Sequence, residues 1–275
     1  MINAFTVDLE DWFCSHNLRS VITYEDWDRQ ESRVEKNSFA LLEILQKHKT
    51  EATFFVLGWV ADRFPGLIKA ICREGHEIAS HGYAHRQIIG MQPEEFKTDV
   101  ENSVAALERI TGRMPSGYRA PAFSIVRRTQ WALAILKQLG FAYDSSIYPF
   151  SLHPDYGNGH SPLHMHSAVD SLVEVPLSCA TFGGIRLPCS GGAYLRFYPY
   201  PIFHSLARKV MDQGRPFIFY IHPWELDKSP PRVALPLLND WRHYYNTASV
   251  QDKLERLLAT FEFTSLNRLI KPDRV

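Results

Sequence analysis

The chain has 275 residues, 45% of them hydrophobic and 22% charged, so it can bury a sizeable core and lies near the upper limit of a single domain. Lys and Arg together number 30, as do Asp and Glu, and the formal net charge of zero disfavours nucleic acid or an anionic membrane as a partner. The four cysteines form no CxxC pair, which indicates reduced thiols in a cytosolic protein.

The N-terminal sequence MINAFTVDLEDWF contains neither the basic stretch nor the apolar run of a signal peptide. The longest apolar runs, such as 217–221, are far too short to span a bilayer. We therefore expect a cytoplasmic protein without a transmembrane segment.

Short runs of β-branched and aromatic residues alternate with segments of helical periodicity, a pattern typical of parallel strands joined by crossover helices. The predicted strands cover residues 3–8, 52–57, 77–80, 117–119, 142–144, 172–176 and 216–222. The predicted helices cover residues 38–48, 60–74, 93–110, 129–139, 200–212 and 249–260. Seven strands in βα order predict an α/β barrel, closed or incomplete, in a single domain. Two irregular loops are predicted at 148–171 and 183–201.

Several predicted strands end in residues that can bind a metal or move a proton. The strand-end motifs are TVDLED, SHGYAH, YRAPAF, YDSS and YIHPWE. In a βα barrel the carboxyl ends of the strands share one face, so these motifs predict a single active site.

His81 and His85 are four residues apart, which places both imidazoles on one side of a helical turn or tight loop. An isolated HxxxH pair is more often two surface histidines, but the position at a strand end favours a metal site. The carboxylate ligand must come from Asp8, Glu10 or Asp11; positions 8 and 10 face the same side of a strand, whereas Asp11 needs a turn. A second carboxylate is then available as a general base. The alternative is a solvated acidic loop that caps the next helix.

Arg119 and His222 each have two interpretations. The Arg119 guanidinium could hold a carboxylate in a bidentate pair, although a single arginine is more often part of a surface ion pair. His222 ends the most apolar strand and is either a satisfied core histidine or an acid that protonates a leaving amine.

Taken together, these motifs resemble the polysaccharide deacetylase family with NodB homology, also called carbohydrate esterase family 4. TVDLED resembles the family's TFDD motif, SHGYAH its HSxxH motif, RAPAF its RxPY motif and YIHPW its final histidine motif, in the same order over most of the chain. GFAYDSSIYP is similar to a segment whose aspartate orients the final histidine. The segments LPCSGGAYLRFYPYP, YIHPWELDKSPPR and WRHYYN look like a subgroup associated with bacterial exopolysaccharide and surface-glycan biosynthesis.

The resemblance implies a distorted (β/α)7 barrel and one catalytic domain over residues 1–275. It implies that Asp8 is the catalytic base, that Arg119 holds it, and that His222 is the general acid. Asp144 would orient His222, and the backbone N–H of Ala122 would stabilise the tetrahedral oxyanion.

The resemblance further implies that His81 and His85 bind one divalent metal ion. The sequence departs from the family here, because Leu9 occupies the position of the usual metal aspartate and Glu10 or Asp11 must substitute. The same-face argument favours Glu10 and residue type favours Asp11; we favour Glu10. Zinc is the first choice for such ligands, and cobalt, nickel or iron(II) would also fit.

The implied reaction removes an N-acetyl group from an amino sugar of a surface-glycan or exopolysaccharide precursor. A cytoplasmic site, or one at the inner face of the membrane, makes a nucleotide-activated or lipid-linked sugar the expected substrate. Rings that could stack on sugar include Tyr194, Phe197, Tyr198, Trp224 and Trp241, with core packing as the commoner role. The alternatives are hydrolysis of another C–N bond, such as a formamide or cyclic amide, and a catalytically silent glycan-binding protein that lacks a base, a ligand or an acid. The oligomeric state is not predicted.

Overall fold

The computed structural model describes residues 1–151 and 157–270, where strands and helices alternate along most of the chain. The strands are β1 (Asn3–Leu9), β2 (Thr53–Val56), β3 (Glu77–Ser80), β4 (Gly117–Tyr118), β5 (Tyr143–Asp144), β6 (His166–Val169), β7 (Leu172–Glu174), β8 (Cys179–Phe182), β9 (Ile185–Pro188), β10 (Ile218–Ile221) and β11 (Phe263–Thr264). The helices are α1 (Val34–Lys47), α2 (Gly58–Arg63), α3 (Pro65–Arg73), α4 (Pro93–Thr111), α5 (Trp131–Gln138), α6 (Gly192–Phe197), α7 (Tyr200–Asp212), α8 (Leu237–Tyr244), α9 (Val250–Thr260) and α10 (Leu266–Ile270).

One curled sheet organises the fold, in the order β10-β1-β2-β3-β4-β5-β7-β6. All neighbours along this path are parallel except β6 and β7, and β11 adds to the start of β1. Strands β8 and β9 form a separate antiparallel hairpin. The prediction of a distorted α/β barrel is confirmed; the described strands form an open half-barrel.

The strand register brings the predicted site residues to one edge of the sheet. The pairing of β1 with β10 runs through Ile221, so His222 lies at the level of Asp8. In the same way, His81 and Arg119 directly follow the paired ends of β3 and β4. Because parallel strands all end at this edge, residues far apart in sequence become neighbours.

Strand β1 is paired on both sides and covered on both faces. All seven residues of β1 are buried, as expected for a parallel strand covered on both faces. Helix α4 begins at Pro93, as predicted, and ends at Thr111, one residue past the predicted end and before Gly112, which has a left-handed φ of 71°. None of the helices in the described ranges is long and apolar enough to cross a bilayer.

Three local predictions are wrong. The predicted helix 60–74 is two helices, because Pro65 has no N–H and begins a new helix at its first position. The predicted loop 183–201 contains β9, α6 and the start of α7, and α8 was not predicted at all. In the predicted loop 148–171, the structure places β6 at its end; residues 152–156 lie outside the described residues.

Candidate active site

A cavity of about 360 Å³ opens at the carboxyl edge of the sheet. Its floor contains side chains from both ends of the chain, including Asp8, Glu10, His81, His85 and His222. This volume is within the range of small-molecule sites, roughly 300–1,000 Å³.

Glu10, His81 and His85 form the group of side chains best suited to hold a metal ion. One ligand atom from each lies within 4.8 Å of the other two. Glu10 and His81 are buried, and His85 adopts an unusual left-handed φ of 52°. A non-glycine residue held in that conformation is typical of a functional constraint.

The chemistry of these three side chains fits a divalent cation. The Nδ1 of His81 lies 2.8 Å from the carbonyl oxygen of Arg119, which can only accept, so the ring donates there and its Nε2 carries the lone pair. Burial lowers the pKa of His81 to about 4, which keeps the ring neutral at pH 7. The Oε2 of Glu10 lies 2.9 Å from His85 Nε2, yet has no hydrogen-bond partner among the described residues. A buried carboxylate oxygen in this state is costly without a cation.

Burial would raise the pKa of the Glu10 carboxyl, but the facing imidazoles of His85 and His222 outweigh it and hold the pKa at about 2. Glu10 is therefore ionised at neutral pH, as a metal ligand must be.

Asp11 has a structural role in this geometry. Its carboxylate accepts from the backbone N–H groups of Trp12, Arg33 and Val34 and from the Ser32 hydroxyl, over 2.5 to 3.2 Å. It thereby caps the start of α1 and does not join the histidines. Of the two carboxylates left open by the sequence, Glu10 is the one beside His81 and His85; coordination by all three stays a prediction.

Asp8 and Arg119 form a buried ion pair beneath the cavity. Arg119 Nη1 donates to Asp8 Oδ1 over 2.7 Å and to the Thr6 hydroxyl over 2.8 Å. The other guanidinium nitrogens donate to the carbonyl and hydroxyl of Ser145, and the Phe55 ring lies 4.1 Å below the guanidinium carbon. With Arg119 fully buried, these contacts fix the Asp8 carboxylate in one orientation.

His222 faces the same carboxylates from the end of β10. Its Nε2 lies 3.5 Å from Glu10 Oε1 and 4.0 Å from Asp8 Oδ2. Its Nδ1 lies 3.2 Å from Glu225 Oε2. Burial would lower the pKa of His222, but Glu10 and Glu225 outweigh it and raise the pKa to about 9. In the metal-free protein these carboxylates therefore favour the protonated ring.

The prediction that Asp144 orients His222 is wrong. The Asp144 carboxylate accepts from the backbone N–H and hydroxyl of Ser146, over 3.1 and 2.6 Å, and shares a hydrogen bond with Glu174. Burial raises the pKa of both carboxyls. The Ser146 hydroxyl in turn accepts from Ala120 N–H, so Asp144 supports the turn after Arg119.

Glu225 takes the orienting role instead, and Arg196 supports it. Burial would raise the pKa of Glu225, but Arg196, whose Nε lies 3.1 Å away, and His222 hold it below its usual range. Gly192 makes room for this pair, because a Cβ there would lie 2.0 Å from Glu225 Oε2. Glu225 was not predicted from the sequence. The available signal was a capping box, in which a glutamate three residues after the N-cap accepts from the N-cap backbone N–H. Here Glu225 Oε2 accepts from His222 N–H over 3.1 Å.

Trp224 cannot serve as the predicted sugar-stacking ring. It is only 4% exposed, and both its faces are covered, by His222 at 5.3 Å and by His243 at 4.5 Å between ring centroids. Its indole N–H donates to Glu10 Oε1 over 3.2 Å. Trp224 therefore positions the carboxylate of the metal group and packs against His222.

Of the remaining predicted residues, Ala122, Tyr194, Phe197 and Trp241 line the cavity, and Tyr198 does not. Ala122 has a left-handed φ of 50° in the turn that follows Arg119, and Tyr194 is half-buried. Their roles in oxyanion stabilisation and sugar binding stay predictions.

Comparison with known families divides the chain into two parts. Residues 17–143 match the polysaccharide deacetylase family, and residues 145–271 match a second family described as a domain of unknown function, DUF3473. The first match begins after Asp8, whereas His222, Trp224 and Glu225 all lie in the second.

The curated relatives are similar over a limited stretch. A peptidoglycan-N-acetylglucosamine deacetylase of Bacillus cereus is 33% identical over 93 residues, which are 34% of this chain and 34% of that protein. A peptidoglycan deacetylase of Helicobacter pylori is 32% identical over 116 residues, 42% of this chain and 39% of that protein. The chain thus spans roughly a third of the length of these relatives.

Solved structures resemble the fold over nearly its full length. A candidate polysaccharide deacetylase from Mycobacterium smegmatis has a TM-score of 0.61 at 22% identity, covering 99% of this chain and 91% of that one. A CE4 family pseudoenzyme from Bacillus anthracis has a TM-score of 0.51 at 13% identity, covering 100% of this chain and 66% of that one. These likenesses show the fold, and the family matches show that residues 17–143 carry a polysaccharide deacetylase domain of the NodB homology (CE4) family and residues 145–271 carry DUF3473.

Proposed function

We propose that this protein is a metal-dependent deacetylase that hydrolyses an N-acetyl group on an amino sugar of a bacterial surface-glycan or exopolysaccharide precursor. The observation that carries the proposal is the convergence of three functions on one cavity. A carboxylate held by an arginine (Asp8), a group fit for a divalent ion and a protonated histidine (His222) all face it.

Glu10, His81 and His85 would hold the ion, zinc being the first choice for two imidazoles and one carboxylate. When bound, the ion supplies Lewis-acid polarisation of the acetamide carbonyl. The fixed contacts of Asp8 with Arg119 aim its second oxygen, Oδ2, toward the centre of the site, where His222 Nε2 is 4.0 Å away. From there Asp8 can accept a proton from the attacking water.

His222 lies between two carboxylates that favour the protonated form a general acid needs. Glu225 on its Nδ1 side fixes the ring orientation and favours the imidazolium, so that Nε2–H points into the cavity. Transfer of that proton to the amine nitrogen would let the C–N bond break and release acetate with the free amino sugar.

The relatives and the cysteines support the substrate class and the location. Peptidoglycan-N-acetylglucosamine deacetylase, the name of the Bacillus cereus relative, is an enzyme that acts on an N-acetylated sugar. The four cysteines of this chain are all unpaired thiols, three of them buried, which favours a reducing compartment. A cytoplasmic enzyme, or one at the inner face of the membrane, would meet a nucleotide-activated or lipid-linked precursor.

The test compares Asp8→Asn and His222→Ala on an amide and an activated ester. On N-acetylated sugars both should lose on the order of 10²–10⁴-fold in kcat, measured by acetate release and by mass spectrometry for loss of one acetyl group. On an acetyl ester whose leaving group needs no proton, His222→Ala should recover and Asp8→Asn should stay slow. Both variants should keep their metal, whereas His81→Ala should lose it, by elemental analysis.

An exposed carboxylate on α7 provides the control, because Asp212→Asn should behave as wild type. Equal rescue of Asp8→Asn and His222→Ala by the ester would contradict the roles assigned to them. Wild-type protein that releases no acetate from any N-acetylated sugar would contradict the proposed function.

A further inference from the structure

Three exposed aromatic side chains form a surface on one wall of the cavity. Phe197 at the end of α6 is 51% exposed, Trp241 on α8 is 44% exposed, and Tyr245 just after α8 is 42% exposed. The ring centroids of Phe197 and Trp241 are 5.7 Å apart, and those of Trp241 and Tyr245 are 5.1 Å apart. All three line the same cavity as the metal-binding histidines, yet the proposed chemistry uses none of them. A contiguous exposed apolar surface of this kind marks a binding site.

Arg242 lies in the same wall, between Trp241 and the end of α8. It is half-buried and lines the cavity, and within the described ranges its guanidinium forms no hydrogen bond or ion pair. The other arginine of this wall, Arg196, differs because it is fully engaged with Glu225 and with backbone carbonyls. Arg242 is thus a cation at the cavity that the fold does not use.

The wall is held rigidly to the reaction centre. Arg196 donates to the carbonyl oxygens of Arg242, His243 and Tyr245 over 2.9 to 3.2 Å, while its Nε faces Glu225. The arginine that supports the partner of His222 therefore also fixes the end of α8. A binding surface positioned in this way loses little conformational freedom when a ligand binds.

We propose that the cavity contains a second subsite, for a negatively charged unit next to the N-acetylated sugar. The subsite is formed by Phe197, Trp241, Tyr245 and Arg242. This inference rests on the proposed deacetylation. The apolar C–H face of a sugar ring would pack on the aromatic surface. The Arg242 guanidinium would bind an anionic group, either the carboxylate of an acidic sugar or a phosphate on the anomeric oxygen. The enzyme would then select acidic over neutral N-acetylated substrates.

The experiment uses two matched pairs of probes. One pair is N-acetylglucosamine linked to glucuronate against N-acetylglucosamine linked to glucose; the other is N-acetylglucosamine 1-phosphate against the methyl glycoside. Wild-type kcat/KM, from acetate release, should be about 10-fold or more higher for the acidic member of at least one pair, as a charge-assisted hydrogen bond provides. The pair that shows the preference distinguishes carboxylate from phosphate.

Two variants and a control test the residues. Arg242→Gln should lose most of the acidic preference, and Trp241→Ala should raise KM for both members of a pair. Arg208→Gln, an exposed arginine on α7 outside the cavity, should match wild type. Equal kcat/KM for acidic and neutral probes, or a preference that survives in Arg242→Gln, would overturn the subsite.

Calorimetric binding to Asp8→Asn separates this inference from the proposed function. Acidic probes that bind through Arg242 while wild type releases no acetate would support the subsite and contradict the deacetylation. Acetate release without any acidic preference would contradict the subsite alone. If no acidic probe binds, the subsite is wrong.

Discussion

Trp224→Phe tests how the second half of the chain supports the metal group. The change removes one hydrogen bond, from the indole N–H to Glu10 Oε1, and keeps an aromatic ring between His222 and His243. A hydrogen bond to a charged group contributes about 1.5–3 kcal/mol, and at 3.2 Å this one is at the long end of the range, so we take about 1.5 kcal/mol. That energy corresponds to about a tenfold weaker metal Kd. Partners of metal ligands typically contribute 10- to 100-fold in affinity.

The assay is competition for zinc with a chromophoric chelator at pH 7. Trp59→Phe is the matched control, because Trp59 is 3% exposed in the core and does not line the cavity. In a Glu10→Gln background the effect of Trp224→Phe should shrink, since the charged acceptor is gone. Unchanged zinc affinity in Trp224→Phe, or an equal loss in Trp59→Phe, would show that the indole does not support Glu10.

Three further predictions follow from neighbouring contacts. Glu225→Gln should lower the pKa of His222 from about 9 in metal-free protein, seen by NMR titration of the imidazole. A raised folded-state pKa of His222 gives stability that is present below about pH 6.5 and is lost as pH rises through 9. The drop in unfolding free energy between pH 6 and 9 should therefore shrink in Glu225→Gln. An unchanged drop would contradict the inference that Glu225 raises the pKa of His222. Asp11→Ala should keep its metal but lose about 2 kcal/mol of unfolding free energy, because the cap of α1 is lost; a metal-free variant would instead make Asp11 a ligand. Gly192→Ala should displace Glu225 and abolish acetate release, whereas Gly66→Ala, whose Cβ meets nothing within 4 Å, should remain active; equal activity would refute the packing argument.

The parts of the fold that the sequence predicts best are those set by local periodicity. The bounds of β3 and α7 agree residue for residue with prediction, since each combines a regular apolar pattern with a clear boundary. The same-face argument for Asp8 and Glu10 assumed that the strand continues, but β1 ends at Leu9 and Glu10 N–H donates to the Asp8 carbonyl over 3.1 Å. The structure nevertheless brings Glu10 to the histidines.

Contacts between distant segments were not predictable in the same way. The role assigned to Asp144 depended on a similar segment in the family, but Ser146 two residues later binds its carboxylate. The short helix α6 has no periodic signal of its own, and its place depends on Gly192 fitting against Glu225. Such close approaches are properties of the assembled fold.

The pairing of β1 with β10 has a consequence for biosynthesis. Strand β10 lies 214 residues further along the chain, at Ile218 opposite Ala4, so β10 is synthesised long after β1. Until β10 is made, one edge of a fully buried strand is unpaired, which is the kind of surface that promotes aggregation and chaperone binding. Asp8 and His222 become neighbours only when that edge closes. A nascent chain that stops short of β10 would therefore contain Asp8, His81 and His85 but not His222, so the proposed site stays incomplete until β10 has been made.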